Sequence, residues 1–332
     1  MTQPKLLLLS PAFHGYWKAI QASLEVHGYE VRTHIYDAPG TLPERILNKL
    51  AHELPEKYRP ESFAAQATRK AIDAFHEFRP DIVLVIKGDM LSREWWDLLE
   101  TSGVRYGTWL YDEMRRMSYT EEDLHHLGAL ASYSPLDAQH LREQGFEVLD
   151  MPNAYDTHCP VVPMREDSIN FVGAKYPNRE ETLQALVAAG LPVRAYGRAW
   201  SRHPYDILRT KQFKDSGVPA GRDIDRSEAY GIMASSPATL NIHNNQDGFT
   251  MRTFEAPGVG ALQVIDRADV DRYYIPGEEV LVYESIDELI EICTRIFREP
   301  KWARQIREAG QKRTLAEHTF DQRVKILEQL WA

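Results

Sequence analysis

The sequence predicts an α/β protein built from two doubly wound, Rossmann-like domains facing a central cleft, and three observations carry that prediction. Short apolar runs alternate with longer amphipathic stretches, the alternation stops at a proline-containing segment near the middle, and it then starts again. At 332 residues the chain also exceeds the usual size of one compact domain, which suits two cores of about 150 residues each.

The opening reads as a βαβ unit: KLLLLS, a helical stretch from Tyr16 to His27, then EVRTHI. DIVLVIK, RYGTWL and ALASYS follow as apolar runs, the pattern of parallel strands covered on both faces. FEVLDMPNAYDTHCPVVPM holds three prolines and no sustained period, so the stretch from Asn153 to Met164 reads as a linker. Beyond it the alternation resumes with SINFVGA, LPVRAYG, ATLNIH, ALQVID and EVLVY. From Ile286 the chain reads as helices, including DELIEICTRIF and DQRVKILEQLW. The implied boundaries are 1–155 for a first domain, 156–318 for a second, and 319–332 for a final helix free to cross back to the first.

Composition narrows the function classes. A hydrophobic fraction of 43% and a charged fraction of 27% are ordinary for a soluble globular protein. The formal net charge of -10 disfavours a nonspecific grip on nucleic acid or on an anionic membrane. The N-terminus carries only a four-leucine run, too short for a signal-peptide core or a membrane span, so a cytoplasmic location is expected. Cys159 and Cys293 make neither a disulfide framework nor a metal-like cluster. Neither half carries a GxGxxG fingerprint or a Walker loop, which weakens dinucleotide oxidoreductase and P-loop readings.

One segment is dense in chemistry. NIHNNQDGFTMRTFEAPGVGALQVID sets a strand, a glycine-containing loop, a short helix and another strand in close succession. If Thr250 opens the helix, free backbone N–H groups of the Gly248–Phe249–Thr250 stretch suit a diphosphate, and Arg252 can add a charge-assisted contact. Glu255 can accept hydrogen bonds from both hydroxyls of a ribose, with Asp247 reaching the sugar. Equally, Glu255 can simply pair with Arg252 three residues earlier. His243, at the end of ATLNIH, is placed to orient Asn244 or a phosphate. In the first half, His14 after the first strand and Asp112 after WLY are the candidates for a general base or an acceptor contact.

The Asp247-x7-Glu255 spacing followed by EAPGVGALQVID resembles the donor motif of group 1 glycosyltransferases with the GT-B fold, with Asp standing where Glu is usual. DGFTMRTFEAPGVGA looks most like the bacterial spore-protein, CgeB-like branch, and the resemblance runs from about Ser132 to Tyr283. It implies transfer of a sugar from a nucleotide-diphosphate sugar, UDP by family habit, to an unknown glycan, protein or small-molecule acceptor on the N-terminal side. It also implies Glu255 on the ribose, Asp247 near the donor sugar, and a lean towards retention. A basic residue then neutralises the leaving diphosphate, with Arg198 and Arg252 preferred over Arg179 and Lys175. No metal and no cofactor are expected. Asp223-Ile224-Asp225 spells DxD, but Asp225 with Glu228 makes a D-x-x-E capping pattern at a helix start. An epimerase on the same fold and a nonenzymatic sugar-nucleotide sensor are the competing readings.

Overall fold

The computed structural model describes residues 3–38 and 62–332. They form two compact units, one of Met1–Pro152 with Phe320–Ala332, the other Asn153–Thr319.

The first unit holds a six-stranded sheet: β1 (Lys5–Ser10), β2 (Glu30–Ile35), β3 (Ile82–Ile86), β4 (Arg105–Leu110), β5 (Ala129–Ser132) and β6 (Val148–Asp150). Every pairing is parallel, in the order β2-β1-β3-β4-β5-β6. The four leucines of β1 are fully buried, as expected of a strand sandwiched between two helical layers. The last residues complete this unit: the helix Phe320–Leu327 packs on the helix Trp17–Val26, and the Arg105 guanidinium donates to the Trp331 carbonyl at 3.0 Å. Gly107 permits this docking, because a Cβ there would come within 2.8 Å of the Leu330 Cβ.

The second unit repeats the plan with β7 (Ile169–Val172), β8 (Val193–Tyr196), β9 (Ala220–Gly221), β10 (Thr239–Asn241), β11 (Gln263–Ile265) and β12 (Leu281–Val282), ordered β12-β11-β10-β7-β8-β9. Both sheets are all parallel and helix-flanked, the two-sheet α/β plan of the GT-B fold. Renumbered within the unit, the second order is 3-2-1-4-5-6, and its direction reverses between β7 and β10. Loops leaving the carboxyl ends of those strands diverge there, which is where open α/β sheets hold ligands.

Local details fit the sequence reading of DxD. Asp225 accepts the Glu228 N–H at 2.9 Å and Glu228 returns a bond to the Asp225 N–H, a reciprocal cap on the helix Arg226–Ser235. Asp223 pairs instead with Arg198 at 2.6 Å. Strand β9 has no counterpart in the sequence reading, because its two residues carry no apolar run.

Two predictions follow from these contacts. Asp225→Ala should lower the unfolding free energy by about 1 kcal/mol, read by urea denaturation; an unchanged midpoint would show that the cap is dispensable. Burial pushes the Cys293 thiol up to about 12 and the Cys159 thiol up to about 11. Raised values mean less thiolate below them, on the order of a thousandth for Cys159 at pH 8. Both thiols should therefore react slowly with a disulfide reagent until the chain is unfolded, and rapid labelling of either in the native protein would contradict the assignment.

Candidate functional site

The connection from β10 to the helix Arg252–Gly258 has little regular structure, yet Ile242, His243, Gly248 and Phe249 are buried in it. Buried carbonyls without ladder partners need other donors. Side chains supply them from several directions. The Arg179 Nε donates to the Ile242 carbonyl at 2.8 Å, Asn178 Nδ2 to that of His243 at 2.8 Å, and Asn153 Nδ2 to that of Phe249 at 2.9 Å. Arg267 Nη1 reaches the carbonyls of both Gln246, at 3.1 Å, and Asp247, at 2.7 Å.

Below the loop, β10 ends in a buried polar cluster. Asn241 Nδ2 donates to the Thr253 hydroxyl at 2.9 Å and to Gln263 Oε1 at 3.1 Å, tying the strand to the following helix and to β11. With its carbonyls held this way, the loop leaves the N–H groups of Gly248, Phe249 and Thr250 without a hydrogen-bond partner among the described residues. Successive N–H groups of this kind suit an anion.

The helix begins at Arg252 rather than Thr250. Met251 holds the cap position, and the Thr250 hydroxyl caps no helix N–H but donates back to Asn241 Oδ1 at 3.4 Å. Glu255 is fully buried, and its carboxylate accepts from Arg252 Nη1 at 2.6 Å and from the Tyr230 hydroxyl at 3.2 Å. The pairing weighed against the ribose role is thus present, and it is a sheltered ion pair rather than a surface one. Its loss would strand a buried charge, a cost of about 3–5 kcal/mol for such pairs.

The other candidates divide by what they touch. Arg179 is buried, and its guanidinium also donates to the Ala174 carbonyl at 3.0 Å, so it holds backbone on both sides of the β7–β10 divide. Lys175 pairs with Glu180 at 2.9 Å and lies 5.6 Å over the Trp200 ring. Arg198, half-exposed, is in the loop whose Trp200 donates from its indole to the Gly173 carbonyl at 3.0 Å. Gly197 lets these loops meet: at φ 151 a Cβ there would lie 2.6 Å from that same carbonyl.

His243 does not orient Asn244. Its backbone N–H and Nδ1 both contact the Asp266 carboxylate at 2.8 Å, which assigns the proton to Nδ1. Its buried Nε2 has no partner among the described residues, and Asn244 is exposed. In the first unit His14 follows β1 with a left-handed φ of 46, and Asp112 follows β4, pairing with Lys87 at 3.2 Å and Arg116 at 3.8 Å. Lys87 itself has φ 62, held where the Tyr119 hydroxyl donates to its carbonyl at 2.6 Å.

Arg267, Asp266, Asn178, Asn153 and Tyr230 were not singled out by motif. The available signal was position: Asp266 and Arg267 directly follow β11, whose carboxyl end borders that of β10.

With this geometry in view, residues 179–329 match a family described as glycosyl transferase-like. Spore protein CgeB of Bacillus subtilis is 20% identical over 265 residues, covering 74% of this chain and 81% of that protein. A glycosyltransferase of Rickettsia africae superposes with TM-score 0.66 at 13% identity, covering 99% of this chain and 98% of the other. Anabaena HepE in complex with UDP and glucose gives TM-score 0.64 at 12% identity, covering 98% and 99%. Sequence match and fold agree: residues 179–329 are similar to the glycosyl transferase-like family, and the chain has the GT-B fold.

Proposed function

We propose that the protein moves a sugar from a UDP-linked donor to an acceptor in the cytoplasm without a metal, and that the donor diphosphate lies against residues 248–250. The observation that carries this reading is the asymmetry of the loop: side chains hold its carbonyls, and three successive N–H groups are left over at the carboxyl end of β10. Backbone donors fixed before the reaction stabilise charge developing on a leaving diphosphate without reorganising. Arg252, two residues beyond Thr250, supplies the positive charge that a divalent cation would otherwise bring. The complex of HepE with UDP and glucose supports uridine as the base.

Glu255 is the ribose ligand in this proposal. Because Arg252 pairs with its carboxylate, donor binding exchanges partners: the guanidinium turns to the diphosphate and the carboxylate accepts from the ribose hydroxyls. Asp247 contacts the transferred hexose, and the spacing of the two carboxylates favours retention. His14 and Asp112, at the carboxyl ends of the first unit's strands, are the proposed acceptor contacts.

The proposal is tested by a thermal-shift screen of nucleoside diphosphates and their sugar conjugates, followed by transfer assays with and without EDTA. UDP-sugars should raise the melting temperature, Glu255→Gln and Asp247→Asn should weaken that shift, and EDTA should leave transfer unchanged. Arg252→Ala should cost roughly a hundredfold in transfer rate. No stabilisation by any sugar nucleotide, or full stabilisation of Glu255→Gln, would overturn it. Consumption of donor without an acceptor would point to epimerisation or hydrolysis instead.

A further inference from the structure

Arg267 contacts the donor loop through its carbonyls and through Phe249, and it reaches the loop from outside. One edge of its guanidinium donates through Nη1 to the carbonyls of Gln246 and Asp247 at 3.1 and 2.7 Å. Its Nε and Nη2 are held by the Asp269 carboxylate at 2.9 and 2.5 Å. Its Cζ lies over the buried Phe249 ring, 4.1 Å from the centroid. A planar fork can bind two carbonyls, a carboxylate and an aromatic face at once; an ammonium cannot.

We infer that Arg267 is a positioning residue for the donor site, which fixes the carboxylate of Asp247 and the N–H groups of Gly248 to Thr250 by holding the loop's carbonyls and stacking on Phe249. The neighbouring residue acts on the same loop. Asp266 grips the start of the same loop through the backbone N–H and Nδ1 of His243, so consecutive residues after β11 hold the loop at two points four residues apart. A residue serving only the core would have no need to span Gln246 and Asp247. Removing Arg267 leaves two carbonyls without their donor and Phe249 without its stacking partner, and the loop loses its single conformation.

The functional half of this inference rests on the donor reading above, so its test has two parts. Hydrogen exchange followed by mass spectrometry on the ligand-free full chain reads loop order directly. Arg267→Ala should speed exchange of amides 243–251 by about tenfold or more while β7 and β10 keep wild-type protection. Arg267→Lys should resemble Arg267→Ala, and added guanidinium ion should partly restore the alanine variant. Calorimetry with UDP-glucose then reads the consequence: affinity should fall by about tenfold to a hundredfold, the range expected when a binding group is displaced by about 1 Å. Asp269→Asn, which leaves the carbonyl contacts in place, should show a smaller effect in both measurements and serves if Arg267→Ala folds poorly.

Unchanged exchange in 243–251, or faster exchange throughout the second unit, would overturn the positioning role. Faster loop exchange with unaltered UDP-glucose affinity would overturn its connection to the donor. A wild-type chain that binds neither UDP-glucose nor UDP would sink the donor reading, while the exchange result would still decide whether Arg267 orders the loop.

Discussion

The constraint on which the second unit depends is that an irregular, partly buried segment after β10 has to find partners for its carbonyls. Helices and strands satisfy these groups internally, and this loop cannot. Asn153, Asn178, Arg179 and Arg267 do so from separate parts of the chain. The loop's shape is consequently a tertiary property. Its remaining N–H groups follow from the same constraint, since the backbone that offers its oxygens to these side chains presents its nitrogens elsewhere.

Electrostatics in the second unit is arranged in pairs. Arg252 with Glu255, Lys175 with Glu180, Arg198 with Asp223, Arg267 with Asp269 and His243 with Asp266 all hold a basic group against a carboxylate. The Arg252–Glu255 pair differs from the rest because its acid is fully buried and belongs to the motif itself. A ligand that replaces this pair has to return comparable interactions to both partners. A diphosphate and a ribose diol offer complementary groups, an anion for the guanidinium and hydroxyl donors for the carboxylate.

Much of the fold was legible because buried parallel strands appear as uninterrupted apolar runs: the leucines of KLLLLS and the apolar run of DIVLVIK lie in β1 and β3 and are buried throughout. Strand β9 was not, since two residues paired to the edge of β8 leave no periodic trace. The spacing from Asp247 to Glu255 was legible too, as was Asp225 acting as a cap. What sequence conveyed poorly was partner choice. Arg179 is one of the less favoured candidates for the leaving diphosphate in the sequence, and burial turns its guanidinium to the Ile242 and Ala174 carbonyls. His243 reads as an orienter of Asn244 or of a phosphate, but its backbone N–H and Nδ1 both go to Asp266, a residue 23 positions away. Thr250 reads as a helix opener, but its hydroxyl faces Asn241. Each difference arises because a hydrogen-bonding side chain goes to the nearest unsatisfied group in space, which local sequence does not specify.

The most direct measurement of this account is a crystal structure of the protein with UDP bound. The account predicts diphosphate oxygens about 2.7–3.2 Å from the backbone nitrogens of Gly248 to Thr250, with the Arg252 guanidinium moved from Glu255 onto the diphosphate and the ribose hydroxyls on the freed carboxylate. A diphosphate bound elsewhere, with those N–H groups still unbonded and the Arg252–Glu255 pair intact, would contradict it.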